Sequence, residues 1–432
     1  MGADLWGDYL TAASIIDDEP TTVNGRKWPV NSPASYNGLI PMRNALQKSL
    51  NICAVKIMQQ VGTDYCFDLA EKFGLTTLIR EGDVNDNNLA ALALGGQSRG
   101  VSTLEMASAY TTFVNDGVHK SYNVYTKVTT RNGDIILEAD TEETEVLDPG
   151  VSWIMRDMLQ SVVTNGLGAP AAVSGAKAGG KTGTTSDQFD IWYCGFTAKY
   201  SAAVWVGSDI NIKLSSMSNK AAALWGKIMN QIPGVASGTY SAKPSNVISV
   251  EVDTKSGMLA TDASGKDRRT EYFTSGTQPT ETDTLHQTAN VCDESGYLAT
   301  PSCPDFTEES GILRPYTPNK RVADIKRELP HYFCNLHNPD PEIYKVKKGL
   351  EVTIVQPGEL DEEEPEELEG ILNEDGSISY PDGTIVFPDG TVYNPDGTIT
   401  NPDGTIVNPD GSIANPDETQ VQDDPDEEVI TE

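Results

Sequence analysis

From Glu351 to Glu432 the chain has no lysine or arginine but 24 acidic residues, so most of its formal charge of −33 sits at that end. Residues 1–350 hold 40 acidic against 31 basic side chains, about −9, with the signs mixed. A nucleic-acid surface needs a concentrated basic patch, so no nucleic-acid partner is expected. No run of about 18 apolar residues exists, which excludes a transmembrane helix by composition. Residues 1–20, "MGADLWGDYLTAASIIDDEP", lack the basic start and apolar centre of a signal peptide. As written, the chain is expected to be soluble and without an export signal of its own. What is present is enough for a core: 38% of the residues are hydrophobic and six are tryptophan.

Six cysteines divide into two sets. Cys53, Cys66 and Cys194 lie in apolar-patterned segments and read as buried free thiols. Cys292, Cys303 and Cys334 lie in a loop-rich region that also holds His331 and His337. These five residues include zinc-ligand types, yet no paired C-x-x-C element frames them. A disulfide between two of the three is favoured if the region is exported. No metal and no cofactor is expected.

Along the chain, residues 40–75 read as helical, with a break at Gly62 and Thr63 as the next cap. Ser102-Thr-Leu-Glu105 is a capping box that opens a helix ending near Gly117. Another helix is expected over about 152–163, and a hairpin turns at Asn132-Gly133 before it. From Lys181 onward two strand-like runs follow, then a short helix near 224–232. Residues 236–350 read as a separate small β-rich module with two echoes of one unit, "SGMLAT" at 256–261 and "SGYLAT" at 295–300. An acidic linker covers 351–372, and a seven-residue repeat with Pro-Asp-Gly at its turn fills 373–432. Each repeat has one aliphatic residue to bury, so a flexible or loosely turning tail is the favoured expectation, and a β-solenoid the other.

The stretch "SGAKAGGKTGTTSD", 174–187, fits two incompatible motifs. Gly175-x-x-x-x-Gly180-Lys181-Thr182 matches a phosphate-binding P-loop, and Lys181-Thr182-Gly183 matches the K-T-G element of serine acyl transferases. A P-loop requires a buried strand before it and a helix starting at its Lys-Thr. Here Gly and Pro precede it, and an alternating, strand-like segment follows. The K-T-G reading therefore prevails. It places a cationic Lys181 on a strand, where it can hold a substrate carboxylate with help from the Thr182 and Thr184 hydroxyls. Gly183 allows close approach of a substrate backbone, and the Thr184 amide can serve as an oxyanion donor. Ser49-Leu50-Asn51, between helices about 130 residues earlier, supplies a hydroxyl and an amide for the same site; a helix-capping serine is the alternative.

"LIPMRNALQKSLNICAVKIMQQVG", "LALGGQSRGVSTLEMASAYTTFVNDGVH", "GAKAGGKTGTTSDQFDIWYCGFT" and "AAVWVGSD" occur in this order, and together they resemble the transpeptidase domain of class A penicillin-binding proteins. The resemblance implies an α+β fold of the penicillin-binding, serine β-lactamase-like type, with a helical subdomain and an antiparallel sheet, over residues 1–235. It implies a D,D-transpeptidase that cross-links peptidoglycan. Ser49 and Lys181 would be catalytic, and Asn51, Thr182, Gly183 and Thr184 substrate-binding. The partners implied are stem peptides ending in D-Ala-D-Ala, β-lactams and other cell-wall synthesis proteins. The place implied for the intact protein is the outer face of the bacterial membrane.

One departure matters. Such enzymes attack with a Ser-x-x-Lys serine that precedes the Ser-x-Asn. Residues 1–48 contain no Ser-x-x-Lys, and the "SGAK" at Ser174–Lys177 lies in a Gly-rich loop directly before the K-T-G strand. The chain is thus expected to start just downstream of its nucleophile and to be inactive as it stands. A serine β-lactamase or D,D-carboxypeptidase, and a non-catalytic wall-binding remnant, are the competing expectations.

Overall fold

The computed structural model describes residues 9–337 apart from 187, 211, 215–218 and 315–318, together with short strand segments between 345 and 414. Contacts group the chain into two compact units, Met1–Ile354 and Val355–Glu432.

Helix α1 (Met42–Lys48) does not run on to Gly62 as its periodicity suggests. Ser49 adopts φ +56°, ψ +49° and ends it. The Ser49 amide bonds to the Leu46 carbonyl and the Leu50 amide to that of Ala45, a Schellman closure with serine where glycine is usual. The chain restarts at Asn51 as α2 (Asn51–Val61). Next, α3 (Thr63–Lys72) is capped by Gly62 at φ +92°, so Thr63 is the first helical residue rather than the cap. After the short α4 (Leu89–Leu94), α5 (Thr103–Thr111) opens with the expected reciprocal box between Ser102 and Glu105. The Glu105 carboxylate also accepts from the Thr76 amide and hydroxyl, tying the preceding loop to α5. Helix α6 (Pro149–Asn165) is capped by Asp148, and α7 (Asn219–Met229) closes this part of the chain.

Strands Gly179–Thr184, Ile191–Phe196 and Ser201–Val206 form a three-stranded antiparallel sheet, with Ile191–Phe196 in the middle. Ile191 and Tyr193 bury against Trp225 and Met229 of α7 on one face. The Tyr193 and Trp225 rings meet edge-on at 5.3 Å. Phe196, on the other face, packs toward Phe113, just beyond α5. A Cβ on Gly179 would strike the Phe196 ring and lie 3.1 Å from the Gln160 amide of α6. The sheet is therefore sandwiched between α7 on one side and α5 and α6 on the other.

Beyond residue 236 the two sequence echoes are two copies of one structural unit. Val247–Asp253 pairs with Arg268–Thr274, and His286–Cys292 pairs with Phe306–Ile312. Their backbone hydrogen bonds correspond one for one. The Asp253 amide donates to the Met258 carbonyl and the Cys292 amide to that of Tyr297. The Leu259 amide donates to Glu281 and the Leu298 amide to Tyr332. The amides of Asp283 and Cys334 in turn donate to the carbonyls of Leu259 and Leu298.

This β-rich part is locked onto the helical part by buried ions. Arg43 of α1, 3% exposed, clasps Glu271 through two nitrogens and Asp157 of α6 at 2.6 Å. Arg314, fully buried, meets Glu328 at 2.6 Å, Asp324 at 2.5 Å and Asp17 at 3.6 Å. Asp324 also accepts from the Leu39 amide, and Gly38 beside it has φ +71° and no room for a Cβ. The change of sequence character at 236 thus falls inside a single compact unit.

All six cysteines are free, so no disulfide joins Cys292, Cys303 or Cys334. In the tail, the aliphatic positions of successive repeats pair as two-residue strands, Ile371–Leu372 through Ile413–Ala414, in a seven-stranded antiparallel meander in chain order. This is more regular than the favoured expectation of a flexible or loosely turning tail. One aliphatic residue per repeat is too little to build a core, but neighbouring repeats supply each other's backbone partners.

Candidate active site

The Lys181 ammonium donates to the Ser49 hydroxyl at 2.5 Å and to the Thr182 carbonyl at 3.0 Å. The two residues reach each other because α6 serves as a common floor. It packs against α1, which ends at Ser49, and against the Gly179–Thr184 strand, which carries Lys181. At the end of α6, the Leu167 amide bonds to the Gln47 carbonyl, and a Cβ on Gly166 would lie 2.6 Å from that same oxygen. The last turn of α1 is thereby seated two residues before the serine.

Strand register decides which side chains face the helices. Lys181 lies opposite Cys194, and Gly183 opposite Trp192, on the α5 and α6 face. Thr182 lies opposite Tyr193 on the α7 face, where it is 7% exposed. Thr184 follows on that same face at the exposed end of the strand. Gly180 is needed because a Cβ there would fall 2.5 Å from both the Tyr193 hydroxyl and the Cys194 carbonyl. A Cβ at Gly183 would come within 3.2 Å of Trp192 Cβ.

Lys181 makes no ion pair among the described residues, and burial of its ammonium lowers its pKa to about 8. At neutral pH it is mostly cationic, but its proton is held far less tightly than that of a surface lysine. Asn51 opens α2 in the turn after Ser49, and its side-chain amide donates to the Val30 carbonyl at 2.8 Å. The structure therefore brings Ser49 and Lys181 into contact, with Gly183 on the same face of the strand. It directs the Asn51 amide to a neighbouring loop and puts Thr182 across the sheet.

The competing motifs in 174–187 are separated by this geometry. Lys181-Thr182 is the middle of a strand, not the start of a helix, so the P-loop spacing has no phosphate cradle behind it. Ser174 and Lys177 are exposed on a tight turn closed by the Val173–Ala176 bridge. Sequence reasoning missed Arg43, whose partners lie 114 and 228 positions away and carry no local signal. It also overlooked that Cys334-x-x-His337 is itself a paired element; the structure gathers it with Cys292 and Cys303.

A serine hydroxyl at a helix end and a partly buried lysine on a strand are thus brought together within an α+β fold. Residues 9–232 match the penicillin binding protein transpeptidase domain, and the chain belongs to that family. Residues 243–288 match the C-terminal domain of penicillin-binding protein 1A, which covers the first β unit. Penicillin-binding protein 1A of Clostridium botulinum (strain Hall) is 38% identical over 339 residues, 74% of this chain and 40% of that protein. The protein of that name from Clostridium novyi is 37% identical, over 70% of this chain and 36% of its own length. The chain thus spans about two fifths of the curated relatives it matches. Among solved structures, penicillin-binding protein 1A from Haemophilus influenzae shares the fold, with a TM-score of 0.52 at 22% identity over 65% of this chain and 47% of the other.

Proposed function

We propose that this chain is the C-terminal part of a class A penicillin-binding protein and contributes two of the three elements of a D,D-transpeptidase site. The observation that carries the reading is the 2.5 Å contact between Lys181 and Ser49. Ser49 and Lys181 form a proton-handling pair beside the bond to be broken. Lys181 at the same time offers positive charge to the carboxylate of a stem peptide ending in D-Ala-D-Ala, or to that of a β-lactam. The Gly179–Thr184 strand, at one edge of its sheet, has a backbone available to line up an extended peptide, and Gly183 keeps that line clear. Asn51 orients the stem peptide after leaving Val30, and the Thr184 amide serves as an oxyanion donor; Thr182, buried across the sheet, acts by fixing the strand.

In this reading the attacking hydroxyl is that of a Ser-x-x-Lys serine on a helix, and no helix among the described residues carries that motif. Neither Ser49, engaged by Lys181, nor Ser174, on its exposed turn, replaces it. A fluorescent penicillin should therefore leave this chain unlabelled, because loss of a nucleophile can cost on the order of 10⁶ in turnover with the rest of the site intact. A form extended upstream to include Ser-x-x-Lys should label, and Lys181→Ala in that form should label at least about tenfold more slowly, the cost of one hydrogen bond to a charged group. Labelling of the 432-residue chain at Ser49 or Ser174 would overturn the assignment. A folded extended form that never labels would favour a non-catalytic wall-binding role instead.

A further inference from the structure

The two β units place four residues at equivalent positions. Asp253, Ser264, Asp283 and His286 of the first correspond to Cys292, Cys303, Cys334 and His337 of the second, with the same spacing within each pair of segments. The match extends to side chains: the Thr261 amide donates to Ser264 Oγ at 3.0 Å, and the Thr300 amide to Cys303 Sγ at 3.3 Å. In the first unit three of the four positions form a carboxylate–histidine ion pair, and the fourth is Ser264. The His286 ring lies 2.9 Å from Asp283 and 3.1 Å from Asp253. In the second unit both carboxylates and the hydroxyl are thiols, and only the histidine is retained.

With three buried thiols, the Nδ1 side of this imidazole lacks the two carboxylates that Asp253 and Asp283 give its counterpart. The geometry of the thiols supplies another solution. The four donor atoms lie within 4.8 Å of one another, and His337 Nδ1 is 3.4 Å from both Cys292 Sγ and Cys334 Sγ. Tetrahedral zinc with Zn–S of about 2.3 Å and Zn–N of about 2.0 Å has ligand–ligand edges of roughly 3.5–3.8 Å. The other ring nitrogen, Nε2, sits 2.8 Å from the Glu294 carboxylate, the outer contact that fixes the tautomer and direction of a metal-bound histidine. An odd number of thiols also means that any disulfide would strand one of them. None of the three is bridged.

We propose that Cys292, Cys303, Cys334 and His337 bind one structural zinc ion that does in the second β unit what the carboxylate–histidine pair does in the first. Binding replaces three thiol protons, released to solvent, with Zn²⁺ held by three thiolates and neutral Nδ1. All four ligand positions come from the protein, so the site is closed and has no catalytic role. Because Cys292 ends one strand, Cys303 lies in the following turn and Cys334 and His337 come from a distant loop, the ion pins three segments that share little apolar core.

The test uses the full chain, reduced and freed of metal by a chelator, then titrated with Co²⁺ and with Zn²⁺. The expected result is one equivalent bound, with the intense visible bands of tetrahedral cobalt and thiolate-to-cobalt charge transfer, and displacement by one equivalent of Zn²⁺. A triple variant, C292D/C303S/C334D, copies the first unit's residues and should fold while binding neither ion. His337→Ala should weaken Co²⁺ binding at least tenfold, in line with loss of one ligand. Absence of tetrahedral bands in the folded, reduced chain would overturn the proposal. So would a native mass 2 Da low from a disulfide within the cluster, or undiminished metal binding by the triple variant.

Discussion

Lys181 and Ser49 are 132 positions apart, yet the ammonium of one donates to the hydroxyl of the other at 2.5 Å, each placed by α6. The lysine is the only charged member of the pair, and burial brings its pKa to about 8. In an acylation-competent form, its cation is present at pH 7 and disappears as pH rises through about 8. Penicillin labelling should therefore show a falling limb near pH 8, because the carboxylate loses its anchor. Lys181→Arg should lower the rate but abolish that limb below pH 10, since guanidinium stays charged. A limb that rises through pH 8 would mean that the neutral amine acting as a base matters more than the anchoring cation.

Ser49 occupies the C-terminal left-handed position that glycine normally takes. Substituting glycine removes the Cβ penalty, so Ser49→Gly should stabilise the fold by up to about 1 kcal/mol while removing the acceptor of the Lys181 hydrogen bond. Ser49→Ala should remove the same acceptor without the gain in stability. Urea midpoints for both variants, set beside labelling in the extended form, separate the two effects. A less stable glycine variant would show that the hydroxyl contact outweighs the backbone strain.

Much of this site was readable in the sequence because strands and capping boxes leave local marks. The alternation after Lys181 separated a strand from a P-loop, and Ser102 with Glu105 announced α5. The Ser-x-Asn motif pointed to a junction near Ser49, but the apolar spacing over 40–62 did not, since a serine in left-handed conformation looks like any helical serine. Periodicity therefore ran straight through it. The face assigned to Thr182 was hidden for a related reason: letters give the motif, but only register with Tyr193 says which side of the sheet its hydroxyl occupies. The second β unit is the instructive case. "SGYLAT" revealed the repeat, yet comparing the polar positions of the two copies required the loops that return 51 positions apart, from Asp283 to Cys334 and from His286 to His337. In the tail, counting aliphatic residues per repeat tested for a core and not for backbone pairing between repeats.

Arg43 joins α1, α6 and the first β unit through Asp157 and Glu271, and Glu271 is 1% exposed. Removing the cation leaves a buried carboxylate uncompensated, a loss of roughly 3–5 kcal/mol for a pair of this kind. Arg43→Met should lower the denaturation midpoint accordingly, and adding Glu271→Gln should recover part of it. If the double variant is no better than the single one, packing of the arginine stem is what matters.

Gly180 faces a tighter restriction than Gly183. A methyl group at Gly180 would meet the Tyr193 hydroxyl and the Cys194 backbone oxygen at 2.5 Å, so Gly180→Ala should cost about 1–3 kcal/mol and displace the strand bearing Lys181. At Gly183 the nearest atom is 3.2 Å away, and Gly183→Ala should fold nearly normally while obstructing an extended ligand on the strand. Thermal melts and labelling of the extended form should therefore rank the two variants in opposite senses, with Gly180→Ala the worse for stability.

His286 carries the clearest dependence on pH. Its ring, 6% exposed, is desolvated, which alone would lower its pKa, but Asp253 and Asp283 on one nitrogen and Asp267 on the other raise it to about 10. Arg327 is paired with Asp267 in turn. The folded value lies above the unfolded one of about 6.5, so the stabilisation is fully present below pH 6.5 and is lost as pH rises through about 10. Lys181 works in the opposite sense, since its lowered pKa makes the fold gain between about pH 8 and 10.5. The difference between wild type and His286→Gln isolates the histidine. Denaturation midpoints taken from pH 6 to 10 should show wild type well ahead at pH 6 and the gap closing toward pH 10. A constant gap across that range would mean that His286 is held as a neutral hydrogen-bonding ring and that the three aspartates do not charge it.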